Sequence, residues 1–399
     1  MPKKSSRRDI IKSGLSAGGL AMAGWSALGR ADSSRFTDQT VRVGLIGCGN
    51  RGLAHILAMK ALKNIKIVAI CDTYRNHRNR GLAANIGGKG YSNYKELLAD
   101  QTIDAVAIAT PLDRHYQIAW DALDEGKHVF CEKTMTYDVA QAASLVQKVR
   151  DTGLIFQTGY QYPYNSVFKK VRKIIQDGNL GQIVNVECQW NRNGDWRRSV
   201  SDPAREREVN WRMYREYSKG LMAELGCHHL DYVNDVLKAY PVRATGFGGI
   251  NYWKDGRETY DNISTLFSYE NGVKTSFTSL TANAYDGFAI RFKGDKGTIR
   301  LTDSEAYYVE EGSYFVDDFD ALSGATSSQN CGGTPIPGDR LSDATVNSFA
   351  AFRDAIHSGQ QPISDVVRGA KGVAIVSMTV DAMLKGSIET WKPEYNFDS

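Results

Sequence analysis

The chain has 399 residues, 42% of them hydrophobic and 24% charged, the balance of a globular protein with enough apolar material for more than one core. Of its 49 basic and 45 acidic residues, six Lys/Arg and Asp9 fall within 1–31, so the remainder carries 43 against 44 and is close to neutral. That removes any bulk electrostatic case for nucleic-acid binding, and no run approaches the roughly 18 apolar residues of a membrane span.

Residues 1–31 read as a targeting segment. Arg7 and Arg8 precede Ile10 and Ile11, a Gly/Ala/Leu/Met-rich run follows, and Gly29 and Ala31 are small residues suited to a cut. This arrangement resembles a twin-arginine export signal and predicts a periplasmic or otherwise exported protein. Residues 32–39 read as a linker.

From 40 to 158 short apolar runs alternate with amphipathic stretches. Strands are predicted at 41–46, 65–71, 104–110, 128–132 and 154–158, and helices near 51–62, 93–100, 115–126 and 137–152. Strand-helix alternation with continuously apolar strands predicts an α/β Rossmann domain, a parallel sheet covered on both faces. From 159 to 399 the period changes. Apolar-polar alternation at 182–190, 242–252, 262–269, 273–281 and 287–293 predicts an open, mostly antiparallel sheet, with helices at 165–177 and 221–238. Residues 191–219 have no clear period, and a loop that long inside a compact domain is usually functional or disordered. The stretch 312–340 is Gly/Ser/Asp-rich, and two C-terminal helices, 344–358 and 366–386, are expected to pack back towards the first domain.

Six cysteines, at 48, 71, 131, 188, 227 and 331, include no Cys-x-x-Cys pair, so buried free thiols are expected and no metal site is read.

The first strand-to-helix turn is Gly47-Cys48-Gly49-Asn50-Arg51-Gly52. Gly47 permits the turn, Gly49 lets backbone approach a pyrophosphate, and Gly52 lets helix and strand pack closely. The phosphates would meet free N–H groups at a helix N-terminus. Asp72, 20 residues after Gly52, ends the second strand and can accept ribose hydroxyls, which favours NAD over NADP; Arg75 and Arg78 lie just beyond. In such sheets ligands meet the strand C-termini. Thr110, Pro111 and His115 after the third strand, and Glu132 and Lys133 after the fourth, therefore join the cofactor set. On the helix from 221, Glu224, His228 and Asp231 stand at i, i+4 and i+7 and predict one face with two carboxylates flanking an imidazole.

These motifs together (GCGNRG at 47–52, TPLDRH at 110–115, GKHVFCEKT at 126–134, GLMAELGCHHLD at 220–231 and GDKGTIRL at 294–301) resemble the Gfo/Idh/MocA oxidoreductases over essentially all of residues 40–390. The resemblance implies hydride transfer to or from a sugar or polyol, with Lys133 as the family's active-site lysine and His228 as its catalytic histidine. Glu224 stands where many members carry Asp, and Thr134 departs from the usual Pro. Oxidising an alcohol needs a base and a cation for the developing alkoxide, roles suited to His228 and Lys133, with Glu224 binding a substrate hydroxyl or orienting a neighbour. Tyr160, Gln161, Trp211, Arg212, Tyr214 and Asp231 are the substrate-side candidates, since aromatic faces and guanidinium forks suit sugars.

The resulting expectation is an exported carbohydrate oxidoreductase with a tightly held cofactor, self-associating through its open sheet as a homodimer or homotetramer. One alternative is an NAD-dependent glycosidase acting by transient oxidation and elimination. Those relatives carry a Tyr-Pro-Thr-His pattern where this chain has Met-Ala-Glu-Leu-Gly-Cys-His. Another is a non-catalytic binding protein that retains the fold.

Overall fold

A computed structural model describes residues 39–194, 196–200, 202–312, 333–338 and 343–398. The export-like segment, most of the linker, most of the 312–340 stretch and Cys331 lie outside the described residues. Among those described, no helix is long and apolar enough to cross a membrane.

The first sheet is parallel and six-stranded. Its elements run β1 (Val41–Ile46), α1 (Asn50–Lys60), β2 (Ile65–Cys71), α2 (Arg75–Ala84), β3 (Lys89–Tyr91), α3 (Tyr94–Leu98), β4 (Ala105–Ile108), α4 (His115–Asp124), β5 (His128–Cys131), α5 (Val139–Thr152) and β6 (Phe156–Thr158), with spatial order β3-β2-β1-β4-β5-β6. The order reverses between β1 and β4, so their C-terminal ends flank a crevice of the kind that binds ligands in doubly wound sheets. Val43, Leu45, Ala105, Val106, Ala107 and Val129 have no exposed surface, as strands covered on both faces require. Asp138 caps α5 by accepting from the Gln141 N–H, and Gly153 ends it at φ 65°. The strand expected at 154–158 starts two residues later, and α2 and β3 are additions to the expected elements.

The second sheet has nine strands. After α6 (Ser166–Gln176) come β7 (Ile183–Asn193), a short helix α7 (Glu206–Val209), a π-helical segment at Met222–Gly226, and α8 (Cys227–Leu237). Then follow β8 (Pro241–Gly249), β9 (Asn262–Tyr269), β10 (Lys274–Leu280), β11 (Ala282–Gly294), β12 (Gly297–Leu301), β13 (Ala306–Glu310), β14 (Thr334–Ile336), helices α9 (Ala344–Ser358) and α10 (Val366–Lys385), and β15 (Glu389–Thr390). The order is β14-β13-β12-β11-β7-β10-β9-β8-β15, antiparallel throughout except for the parallel β7–β10 pair. One face is apolar: Val186, Phe267, Phe277, Ile290 and Phe292 are buried there, and α8 packs on it through Tyr232 against Phe292. The opposite face is largely polar and exposes Phe247 and Leu266, by 82% and 58%.

Helix α9 covers the first sheet. Its Phe349 stacks on Phe130 of β5 at 4.3 Å between ring centroids, and Phe352 meets the same ring edge-on. The chain thus returns from the second sheet to complete the core around β1 and β5.

Candidate active site

The glycine turn is built as a cradle. Gly47 has φ +96°, and a Cβ there would lie 2.5 Å from the Ala109 carbonyl oxygen. A Cβ on Gly52 would lie 2.0 Å from the Gly47 carbonyl oxygen, so helix and turn touch through bare backbone. At Gly49 a Cβ would meet nothing within 4 Å. The space over Gly49 adjoins the start of α1, whose first turn has no side-chain cap and no acidic residue. Open space, uncapped N–H groups and the helix dipole fit a pyrophosphate.

Asp72 sits at the neighbouring strand end. Its Oδ2 accepts the Cys48 N–H at 2.7 Å and its Oδ1 accepts the Tyr74 N–H at 2.8 Å. Each oxygen keeps a second lone pair for a ribose hydroxyl. Arg78 donates to the Asp72 carbonyl oxygen at 2.7 Å, which occupies it with backbone. The Cys48 side chain is buried, and burial pushes its thiol far up from the usual cysteine range.

Arg51 and Glu132 are joined to each other. Arg51 Nε donates to Glu132 Oε1 at 2.6 Å, its second terminal nitrogen to Gln161 Oε1 at 3.0 Å, and its first to Thr345 Oγ1 at 3.4 Å. His55 Nε2 lies 2.8 Å from the same Glu132 oxygen. Burial opposes ionisation of Glu132, but Arg51 and His55 overcome it and hold the carboxyl well below its usual range. Glu132 therefore orients Arg51 beside the cradle, where direct contact with a cofactor had been expected. His55 is absent from the expected site. Its one sequence signal is the i, i+4 spacing from Arg51 on a helix facing a strand-end carboxylate.

His115 is likewise redirected. Its ring is 2% exposed, with Nδ1 2.9 Å from the Thr134 carbonyl oxygen and Nε2 3.0 Å from that of Thr110. It braces the loops after β4 and β5 and presents no nitrogen to a ligand. The Thr110 hydroxyl is buried without a partner, beside Pro111 at the end of β4.

The reactive cluster forms where the loop after β5 meets the π-helical segment. A π turn frees carbonyls from the regular ladder. Lys133 Nζ donates to Glu224 O at 2.9 Å and Ala223 O at 3.3 Å, and Thr134 Oγ1 donates to Ala223 O at 3.3 Å. The Lys133–Thr134 peptide is cis. Glu224 Oε2 lies 3.9 Å from Lys133 Nζ and accepts from Arg212 Nε at 2.8 Å. Burial works against the Glu224 charge, yet Arg212 and Lys133 pull its carboxyl below the usual value. An ammonium has three donors. Two are used on backbone, which leaves one for a substrate oxygen.

His228 is 6% exposed, with its Nδ1 buried and unpartnered. Burial, reinforced by the Lys133 charge, holds it well below the ordinary histidine value and favours its neutral form. Tyr162, Tyr160 and Trp190 surround it at 5.2, 6.0 and 6.1 Å between ring centroids. Tyr162 and Trp190 lie outside the expected set. Their signal was weak, because an aromatic in an alternating strand or after a Gly-Tyr-Gln turn is ordinarily a packing residue. His229 turns away onto Phe288 and Phe277, and burial lowers it to about 3.

Three substrate-side expectations are corrected. Asp231 shares its carboxylate with Arg368 of α10, at 2.5 and 2.8 Å, so it clamps two helices. The expected face of two carboxylates around an imidazole therefore divides, with Glu224 turned to Lys133 and Asp231 to α10. Tyr214 donates to Glu206 at 2.8 Å and is covered by Arg207. The Tyr160 hydroxyl is buried against α10, where a Cβ on Gly372 would come within 2.2 Å of it. Trp211 stacks on the Arg212 guanidinium at 4.2 Å, beside Glu224. Among the described residues no group of three or more His, Cys, Asp or Glu is arranged to hold a metal.

Comparison with known proteins agrees with this layout. A family described as "Oxidoreductase family, NAD-binding Rossmann fold" matches residues 41–160, and "GFO/IDH/MocA C-terminal domain" matches 168–300. The uncharacterized oxidoreductase YrbE of Bacillus subtilis is 30% identical over 279 residues, 69% of this chain and 77% of its own. Glucose-6-phosphate 3-dehydrogenase of the same organism is 27% identical over 329 residues, 79% and 86% of the two chains. The solved levoglucosan dehydrogenase, in complex with NADH and L-sorbose, superposes with a TM-score of 0.74 at 18% identity, covering 89% of this chain and all of that one.

Proposed function

As this chain belongs to the Gfo/Idh/MocA oxidoreductase family, we propose that it is an NAD-dependent dehydrogenase acting on a hydroxyl-bearing carbon of a sugar or glycoside. One observation carries the proposal. Lys133, fixed by two carbonyls of a π turn and 3.9 Å from Glu224, places its charge where it acts on the buried imidazole of His228. Related proteins named for carbohydrate dehydrogenation support the substrate class.

The glycine cradle at 47–52 would hold the pyrophosphate, and Asp72 the adenosine ribose. When bound, the nicotinamide supplies the hydride acceptor. Lys133 donates its remaining N–H to the substrate oxygen and stabilises the charge that develops there. His228 receives the hydroxyl proton, for which its neutral form is required. Glu224 bridges Lys133 and Arg212 and accepts from a neighbouring hydroxyl. The Asp72 carboxylate would repel a 2′-phosphate, and Arg78 is held at the backbone, so NAD is the favoured dinucleotide. The export-like segment at 1–31 supports a cofactor loaded before export and retained afterwards. Phe247 and Leu266 on the open sheet support self-association through that face. Extensive dialysis followed by assay of retained NAD(H) tests retention; complete loss would remove that part of the reading.

A further inference from the structure

A cavity of about 100 Å³ adjoins the π-helical segment, and none of its lining residues is assigned above to the cofactor or the chemistry. Leu221, Met222, Ile263 and Met383, all buried, form its apolar wall, and Val380 and Asp381 of α10 extend it. Two cations share the lining. Lys219 Nζ lies 4.6 Å over the Tyr137 ring, and the Arg215 guanidinium lies 4.9 Å over that of Tyr260, both rings facing the same cavity.

Neither cation is matched to a carboxylate among the described residues. The Lys219 ammonium rests on the Tyr137 ring and makes no hydrogen bond there. Burial lowers its pKa from the usual lysine value, and the more distant Asp381 and Asp138 only partly oppose this. Asp381, the one carboxylate in the lining, is taken by Lys385 at 3.0 Å. Arg215 Nε donates to the Glu258 carbonyl oxygen at 2.8 Å, which is backbone. An ammonium and a guanidinium at the edge of an apolar cavity, without a carboxylate partner, match a ligand with an anionic head and an apolar tail. Size narrows the tail. A cavity of about 150 Å³ admits benzene, so about 100 Å³ takes roughly four carbon atoms.

We propose that this cavity binds a small amphiphilic carboxylate, its head on Lys219 and Arg215 and its branched aliphatic tail against Met222 and Val380. The site adjoins both supports of the catalytic lysine. Tyr137 follows Lys133 by four residues on the loop after β5, and its hydroxyl donates to the Arg215 carbonyl oxygen. Gly220 and Leu221 lead into the π turn whose Ala223 and Glu224 carbonyls hold Lys133. An occupant therefore rests against the two segments that fix Lys133, and acts as an effector of the lysine cluster. Binding there requires no dinucleotide.

The test is calorimetric titration of the full chain, free of cofactor, with isovalerate (3-methylbutanoate), and with isovaleramide and 3-methylbutylamine as neutral and cationic controls. The expected result is a Kd below about 1 mM for isovalerate, binding of both controls at least tenfold weaker, and slower amide exchange over 133–137 and 220–226 in the isovalerate complex. Lys219→Gln should weaken isovalerate at least tenfold, and Lys219→Arg should recover part of the loss. Val380→Phe, which fills the cavity and keeps both cations, should abolish binding; melting curves establish that each variant is folded. Absence of isovalerate binding by the wild type overturns the proposal, as does equal binding of the amide or the amine. Undiminished binding by K219Q or V380F puts the ligand elsewhere and also overturns it, and unchanged amide exchange over both segments removes the effector role. If isovalerate fails to bind and V380F loses self-association, a second copy of the chain covers the cavity instead. None of these outcomes touches the dehydrogenase reading, which NADH titration of the same protein judges separately.

Discussion

Gly49 and Gly52 lie three residues apart in one turn, and alanine at each should fail differently. A Cβ on Gly52 would stand 2.0 Å from the Gly47 carbonyl oxygen. Both sides of that clash are backbone, so relief requires α1 to shift off β1, at an overpacking cost of about 3 kcal/mol. For a chain of this size that lowers the melting temperature by roughly 5 °C or more. Gly49 has φ −66° and open space around its missing Cβ. Alanine there gains about 0.4–1 kcal/mol from a stiffer unfolded chain and loses part of glycine's preference at a helix N-cap, so stability should scarcely move. Its methyl would nevertheless occupy the cradle and weaken NADH by at least about tenfold, or about 1.4 kcal/mol. Differential scanning calorimetry and NADH titration separate the two effects. A Gly49→Ala protein that binds NADH as wild type does would show that the pyrophosphate lies elsewhere. One as destabilised as Gly52→Ala would show that the cradle is not open.

Lys133→Ala and His228→Ala should each lower kcat by at least about a hundredfold while leaving NADH affinity within a few-fold, as paired kinetics and titration would reveal; unchanged activity in either removes that residue from the chemistry. Stability should fall on acidification through buried histidines. His128 and His229 are lowered by burial to about 4 and about 3, below the unfolded value near 6.5, so the unfolded chain binds the extra protons first. Their contribution is complete above pH ~6.5 and is lost as pH falls towards the folded values, about 2 kcal/mol each between pH 7 and pH 5. Urea melts at the two pH values check this, and an unchanged or rising midpoint at pH 5 contradicts it. Asp231→Asn should cost about 1–3 kcal/mol by weakening the charge-assisted bonds to Arg368, which keeps Asp235 at 3.7 Å, yet leave KM of the folded protein close to wild type; a selective rise in KM would return Asp231 to the substrate site.

The parallel sheet was legible because its strands are continuous Val/Ile/Ala runs between turn residues, a pattern that burial on both faces dictates. Helix α2 was not. Its sequence, RNHRNRGLAA, buries only Gly81, so no apolar stripe reports its period. The three-residue β3 is too short to alternate. In the site, strand ends and helix placement mark Lys133 and His228 as candidates, and the family resemblance supplies their roles. The division of Glu224 from Asp231 was hidden, since apolar periodicity over 221–238 is equally compatible with an α-helix and with one that opens with a π turn. The partners of Asp231 and Glu132 come from elements 137 and 81 residues away. Long-range pairing of this kind leaves no local spacing to read.

The proposed reaction moves a hydride between a carbohydrate carbon beside Lys133 and His228 and the nicotinamide of a dinucleotide whose pyrophosphate lies at Gly49. The most direct measurement incubates the protein and NAD with sugars and glycosides deuterated at their carbinol carbons, then analyses the recovered cofactor by mass spectrometry. Deuterium on the reduced nicotinamide, with a matching keto-sugar, is the predicted result. Release of an aglycone with no net cofactor reduction, or no label transfer from any carbohydrate, would contradict it.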